Sequence, residues 1–292
     1  MDEKKKIGVR EILVGALAFV VLFSACLCNI RRLTVHHVIP GTDWIEFQPT
    51  DWQVYMNAAK QLLRGHSPYQ IPGHFQFYNP PWMLVLYVPF TFIPYPYSLA
   101  LFMSVGFIVH LLLYRHYNSN LVSLVFYLLS APVALGLLMG QLDWAVLVGL
   151  LLPPQYGLFL ISAKPQIGCV VMLIWLIEAY QEKRVVRTFL PVSVAFGLSF
   201  LAFGLWPLNW MKLAEIEPMW GWPYVLLLGV PLLLQAIKKR DTRLAMCAGP
   251  LLSPHTLMHS WCGGMLKISH PLAMATFSVC TWIIAFVSAI LF

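Results

Sequence analysis

The sequence predicts an all-α fold, a polytopic bundle of about ten membrane-spanning helices forming one integral membrane domain over residues 1–292. Three observations predict it. Of the 292 residues, 59% are hydrophobic and 11% charged, with a mean hydropathy of +0.72. A soluble domain carries about a quarter charged residues, so this chain lacks the charge to cover a water-facing surface. Apolar runs near the length that crosses a bilayer recur along the chain. The basic residues cluster beside those runs, from Lys4 to Arg10, Lys183 to Arg187 and Lys238 to Arg243, as cytoplasmic loops do. The net charge of +7 is therefore an orientation signal. No basic groove interleaved with aromatics is present, which excludes nucleic acid as a partner.

Taken in order, residues 1–10 form a cytoplasmic tail and Ile12 to Ile30 the first span. That apolar run is too long for a signal-peptide core, and Arg31 and Arg32 follow it directly, so the span is expected to stay uncleaved. Residues 31–81 make the first exocytoplasmic loop. Trp82 to Ile93, Tyr97 to Tyr114 and Leu121 to Met139 follow as apolar segments. Trp144 to Ile161 is interrupted by Pro153-Pro154, which should kink or divide it. Further segments end at Tyr180, Leu205, Ile237 and Leu252, and Pro271 to Phe292 closes the sequence. With the N-terminus and Lys183 to Arg187 both inside, the first loop lies outside and Gly140 to Asp143 inside. If Trp82 to Tyr114 is re-entrant, or Pro153-Pro154 separates two short spans, Asp143 moves outside. The implied location is the cell membrane, multi-pass, with a cytoplasmic N-terminus.

Chemistry on the outer face needs a carboxylate there. Of twelve acids, Asp2, Glu3, Glu11, Glu178, Glu182 and Asp241 fall in cytoplasmic flanks, and Glu215 and Glu217 in a later polar loop. Asp43, Glu46, Asp51 and Asp143 remain. Pro49-Thr50-Asp51-Trp52-Gln53 reads as a capping box, with Thr50 as N-cap and Gln53 at the third helical position. Asp51 then sits in the first turn of a short amphipathic helix, where the helix dipole favours its ionised form. Asp51, Tyr55, Ala58 and Leu62 share one stripe of that helix. Such a carboxylate can accept a proton from a hydroxyl, which makes Asp51 the candidate base and Asp43 the runner-up. The six cysteines and the His36-His37 pair lack metal-ligand spacing, so no metal is expected.

Asp51-Trp52, Tyr55, Ala58-Ala59, Leu62-Leu63, Gly65 and Pro68-Tyr69 resemble the first-loop signature of GT-C superfamily glycosyltransferases. The group they resemble uses polyprenyl-phosphate sugars and includes the mycobacterial phosphatidylinositol-mannoside mannosyltransferase. Tyr78, Pro80-Pro81 and Trp82 follow in the family's order. Gly140-Gln141 is similar to its Gly-Gln-x-Asn, with Asp143 in place of Asn. Lys164-Pro165 resembles its Lys-x-Pro shortened by one residue, and Ser253-Pro254 with His259 its late Ser-Pro-x-x-x-x-His.

The resemblance implies a GT-C-type bundle and inverting transfer of a hexosyl group, mannosyl in the nearest relatives. The donor would be a polyprenyl-phosphate sugar, the acceptor a lipid or glycan hydroxyl, with membrane lipids around and no cofactor. Asp51 would be the base. Lys164 and His259 would face the lipid phosphate, with Arg64 and His255 as neighbours and Gln141 and Asp143 in donor recognition. Tyr55, Tyr69 and Tyr78 would line the sugar or the lipid chain. The alternatives are a non-catalytic or degenerate subunit of the same fold and a small-solute transporter, for which paired broken helices would be expected.

Overall fold

The computed structural model describes residues 9–35, 50–70, 76–209 and 222–291, with side chains for 16–30, 51–70, 76–209 and 222–287. All regular structure among the described residues is helical. The chain opens with α1 (Val9–Val35) and α2 (Thr50–Leu63), then takes two 3-10 turns, Pro81–Leu86 and Val88–Phe92. The helices α3 (Tyr97–Tyr117), α4 (Leu121–Leu128), α5 (Ala131–Leu138), α6 (Asp143–Val148) and α7 (Pro154–Ile161) follow. After α8 (Pro165–Gln181) and α9 (Val185–Phe203) come α10 (Leu226–Lys239), α11 (Thr242–Leu252), the short α12 (Cys262–Met265) and α13 (Pro271–Leu291).

Punctuation in the sequence explains why so many of these helices are short. Trp82 to Ile93, expected as one apolar segment, contains Pro89 and winds into the two 3-10 turns instead. Leu121 to Met139 bends by 46° between α4 and α5, where Ser130 is followed by Ala131-Pro132. Pro153-Pro154 divides its segment, as expected, and Pro154 opens α7.

The ten-span expectation is corrected by these breaks. Among the described residues, Tyr97–Tyr117 and Val185–Phe203 are long and apolar enough to cross a membrane, and the bent pair α4–α5 would make a third. Elsewhere, among residues with described side chains, the apolar helical stretches are shorter: Ala16–Ile30 of α1, Pro165–Gln181 and Pro271–Val287 of α13. A GT-C-type architecture of about ten crossings is therefore excluded, and the multi-pass cell-membrane placement built on that count falls with it. The all-α class stands.

Much of the apolar sequence is spent on a core. Helix α8 buries Ile167, Val170, Val171, Ile174 and Trp175 between α7, α9 and α11. Helix α3 turns Leu99, Phe102 and Leu113 inward, packing on α1 and α6. Trp52, Tyr87, Phe90 and Phe102 form an aromatic cluster with centroids between 5.1 and 5.7 Å, which fixes α2 on the second 3-10 turn. The expected stripe on α2 does pack inward: Tyr55 and Ala58 are buried and Leu62 is partly so.

Helix α11 has a built start. The Asp241 carboxylate accepts the backbone N–H groups of Arg243 at 3.0 Å and Leu244 at 3.1 Å and also pairs with Lys267. Asp241→Ala is expected to cost about 1 kcal/mol of stability, measured by denaturant unfolding, while Asp241→Asn keeps most of the cap and loses less.

A buried lysine–aspartate–histidine cluster as the candidate functional site

The site is assembled from backbone features that the sequence dictates. Helix α5 ends in a Schellman closure: Gln141 N–H donates to Gly136 C=O at 2.8 Å and Gly140 N–H to Leu137 C=O at 3.1 Å. Gly140 takes φ +73°, and a Cβ there would lie 2.9 Å from the Trp52 side chain. Glycine is needed for both reasons. Trp52 N–H donates to Met139 C=O at 2.9 Å and Tyr87 O–H to Gly140 C=O at 3.0 Å, so the start of α2 is seated on this turn. The turn presents Gln141 and, two residues later, Asp143 at the head of α6.

Lys164 precedes Pro165 and so is held out of the helix, with φ −128° and ψ 88° at the N-cap of α8. His259 comes from the 3-10 turn Met258–Trp261 that follows Pro254. These four side chains, drawn from separate stretches of chain, meet in the interior. Lys164 Nζ donates to Gln141 Oε1 at 2.6 Å and to Asp143 Oδ1 and Oδ2 at 3.0 Å each. His259 Nδ1 lies 3.0 Å from Asp143 Oδ2. Lys164, Asp143 and His259 are 2–3% exposed, so all three have been removed from bulk water.

That burial sets the electrostatics. Loss of water pushes the Asp143 carboxyl up, but Lys164 first and His259 second outweigh it and hold the group below the usual carboxylate range. Asp143 is thus an anion at neutral pH. Lys164 Nζ also lies 3.4 Å from His259 Nδ1, yet its hydrogens already serve Asp143 and Gln141 at shorter range. The histidine's hydrogen therefore belongs on Nδ1, donating to Asp143, which leaves Nε2 as a lone-pair acceptor. Nε2 is itself buried and has no hydrogen-bond partner among the described residues.

A second layer extends toward α2. Tyr55 O–H lies 2.8 Å from Asn79 Oδ1 and 3.3 Å from Gln141 Oε1, so its one hydrogen goes to the asparagine. Asn79 Nδ2 donates to Ala163 C=O at 2.8 Å, beside Lys164, and Tyr69 O–H donates to Asn79 C=O at 2.9 Å. Burial raises the Tyr55 phenol well above its ordinary value, and the charges of Asp51 and Asp143 add to that. Both carboxylates therefore act on one phenol.

Of the residues expected from sequence, Gln141, Asp143, Lys164 and His259 share the cluster, Tyr55 borders it, and Tyr69 reaches it through Asn79. Asp51 occupies the first turn of α2, half-buried. The helix is already formed at Thr50, one residue ahead of the capping-box reading, which moves Asp51 one position further in. Tyr78 is half-buried. Arg64 is exposed beyond the end of α2, and His255 closes a turn in which Ser253 Oγ donates to its C=O at 2.7 Å. Arg64 does not join the cluster. Asp43, Glu46, Glu215 and Glu217 lie outside the described residues. Asn79 escaped sequence reading, although an amide beside Pro80-Pro81 and flanked by Tyr78 and Phe77 was its signal.

No protein-family description, curated protein or solved structure matches the chain. The resemblance to GT-C glycosyltransferases is accordingly overturned: its motifs stand on a chain with two or three membrane-capable helices among the described residues and no family match. Inverting hexosyl transfer from a polyprenyl-phosphate donor is overturned with it, since that reaction was tied to the multi-pass architecture. The role of Asp51 as base for a sugar hydroxyl ends there too.

Proposed function

We propose that the chain carries a buried acid–base site in which His259 takes up and returns a proton at Nε2. The observation that carries this reading is the orphaned, buried Nε2 on a ring whose other nitrogen is fixed by Asp143. A neutral imidazole held this way is a proton acceptor, and the imidazolium formed on uptake is stabilised by the carboxylate across 3.0 Å. Lys164 keeps Asp143 ionised, so the carboxylate orients the ring and does not itself capture the proton. Gln141 takes one Lys164 hydrogen and fixes the ammonium against Asp143. The proton would be exchanged with water or with a small molecule admitted beside the ring.

Nitrogen-15 spectra of the His259 ring test the reading. The expected neutral form has hydrogen on Nδ1 and none on Nε2. A neutral ring with its hydrogen on Nε2, or an even mixture of the two neutral tautomers, contradicts it.

A further inference from the structure

Helices α8, α9, α10 and α11 run between two levels of the fold. Helix α10 and helix α11 form an antiparallel pair, with Gly229 near the start of α10 lying against Leu251 at the end of α11. The end of α11 also meets the start of α8, where Gly249 faces the carbonyls of Gln166 and Ile167. Helix α8 runs away from that level and α11 runs into it, so the two are antiparallel. The end of α8, the start of α11 and the end of α10 therefore share one level. Helix α9 leaves from there after a three-residue turn and returns to the opposite level, where Phe203 and Trp206 meet Tyr69.

Two basic clusters more than fifty residues apart in sequence are brought to the same end by this path. Lys183, Arg184 and Arg187 lie at the head of α9, and Lys238, Lys239 and Arg240 at the foot of α10. Lys183, Arg187, Lys238 and Lys239 are exposed. The acids at that level are Glu178, Glu182 and Asp241; Glu182 pairs with Arg184, and Asp241 with Lys267 and Arg243. Extending from this basic end, the outward faces of α9 and α10 are apolar, with Leu201 87% and Leu227 78% exposed. At the opposite end, ahead of α10, stand the exposed Tyr224 and the partly buried Trp222. Basic groups at one end, an apolar flank and aromatics at the other complement an acidic lipid layer: headgroups at the first, acyl chains along the second.

We propose that this end of the molecule, formed by the head of α9 and the foot of α10, binds acidic phospholipid headgroups, with the outer faces of both helices against the acyl chains. The test uses the full chain in detergent micelles supplemented with equal phosphatidylglycerol and phosphatidylcholine, with the lipid retained on the protein counted by mass spectrometry. Phosphatidylglycerol should be enriched at least about fivefold. The enrichment should fall toward unity in Arg187→Gln/Lys238→Gln/Lys239→Gln, and on raising salt to about 0.5 M in the wild type, which needs no variant to fold. Equal retention of the two lipids by the wild type overturns the proposal. So does an enrichment that neither the variant nor salt reduces, or displacement of phosphatidylglycerol by a short oligonucleotide at equal concentration.

Discussion

Lys164→Met is expected to destabilise the protein by about 3–5 kcal/mol, the largest effect of any single substitution considered. The ammonium is the partner that makes a carboxylate tolerable at the position of Asp143, where both side chains are 3% exposed. Removing it leaves Asp143 with the His259 contact alone, in surroundings that cannot solvate the charge, and the carboxyl would have to take up a proton or draw one onto the imidazole. The loss is therefore mostly the cost of a stranded anion. Lys164→Met/Asp143→Leu removes both charges and should recover most of it, because a buried ion pair and a well-packed apolar replacement often differ little in free energy. Denaturant unfolding of the two single variants and the double variant measures the coupling. A Lys164→Met protein within about 1 kcal/mol of wild type would show that the pair is not the electrostatic anchor described here.

Gly168→Ala is expected to cost about 1–3 kcal/mol or more and to disturb the site without changing a single polar group. A Cβ at Gly168 would lie 2.3 Å from the Ile161 carbonyl oxygen and 2.5 Å from its Cγ2. The closest of these atoms is backbone, so relief requires α8 to lift away from the end of α7. Lys164 is one helical turn upstream of Gly168 and would move with α8, lengthening its bonds to Asp143 and Gln141. Gly197→Ala in α9 is the control, because a Cβ there meets nothing within 4 Å. It should leave stability unchanged or raise it by up to about 1 kcal/mol, as helix propensity alone predicts. Melting temperatures of the two variants, compared with the wild type, decide the matter.

The sequence carried the parts of the site better than its arrangement. Gln141, Asp143, Lys164 and His259 were each visible as polar residues set among apolar runs beside Gly, Pro or Ser-Pro. Their meeting was not, because it depends on how α5, α6, α8 and the Met258–Trp261 turn pack. Asp51 ranked first from capping and resemblance, both local properties, whereas the ionised carboxylate at the centre of the cluster is Asp143. The count of spans failed for a related reason. An apolar run specifies that a helix is covered, not by what: α8 turns Val171 and Ile174 into protein, while α9 leaves Leu198 and Leu201 outside. Pro89 and Pro132 then shortened runs that composition alone joined. Topological parity counted each run as a crossing, so it could not detect the error.

The central claim is that Asp143 fixes the His259 ring so that Nε2 is left as a buried proton acceptor. The nitrogen-15 spectrum of His259 in Asp143→Asn, recorded beside wild type, tests it most directly. With its Oδ2 anion removed, the ring should lose the single Nδ1–H tautomer and show a mixture of the two neutral forms, while the wild type shows one. Identical His259 spectra in the two proteins would contradict the account.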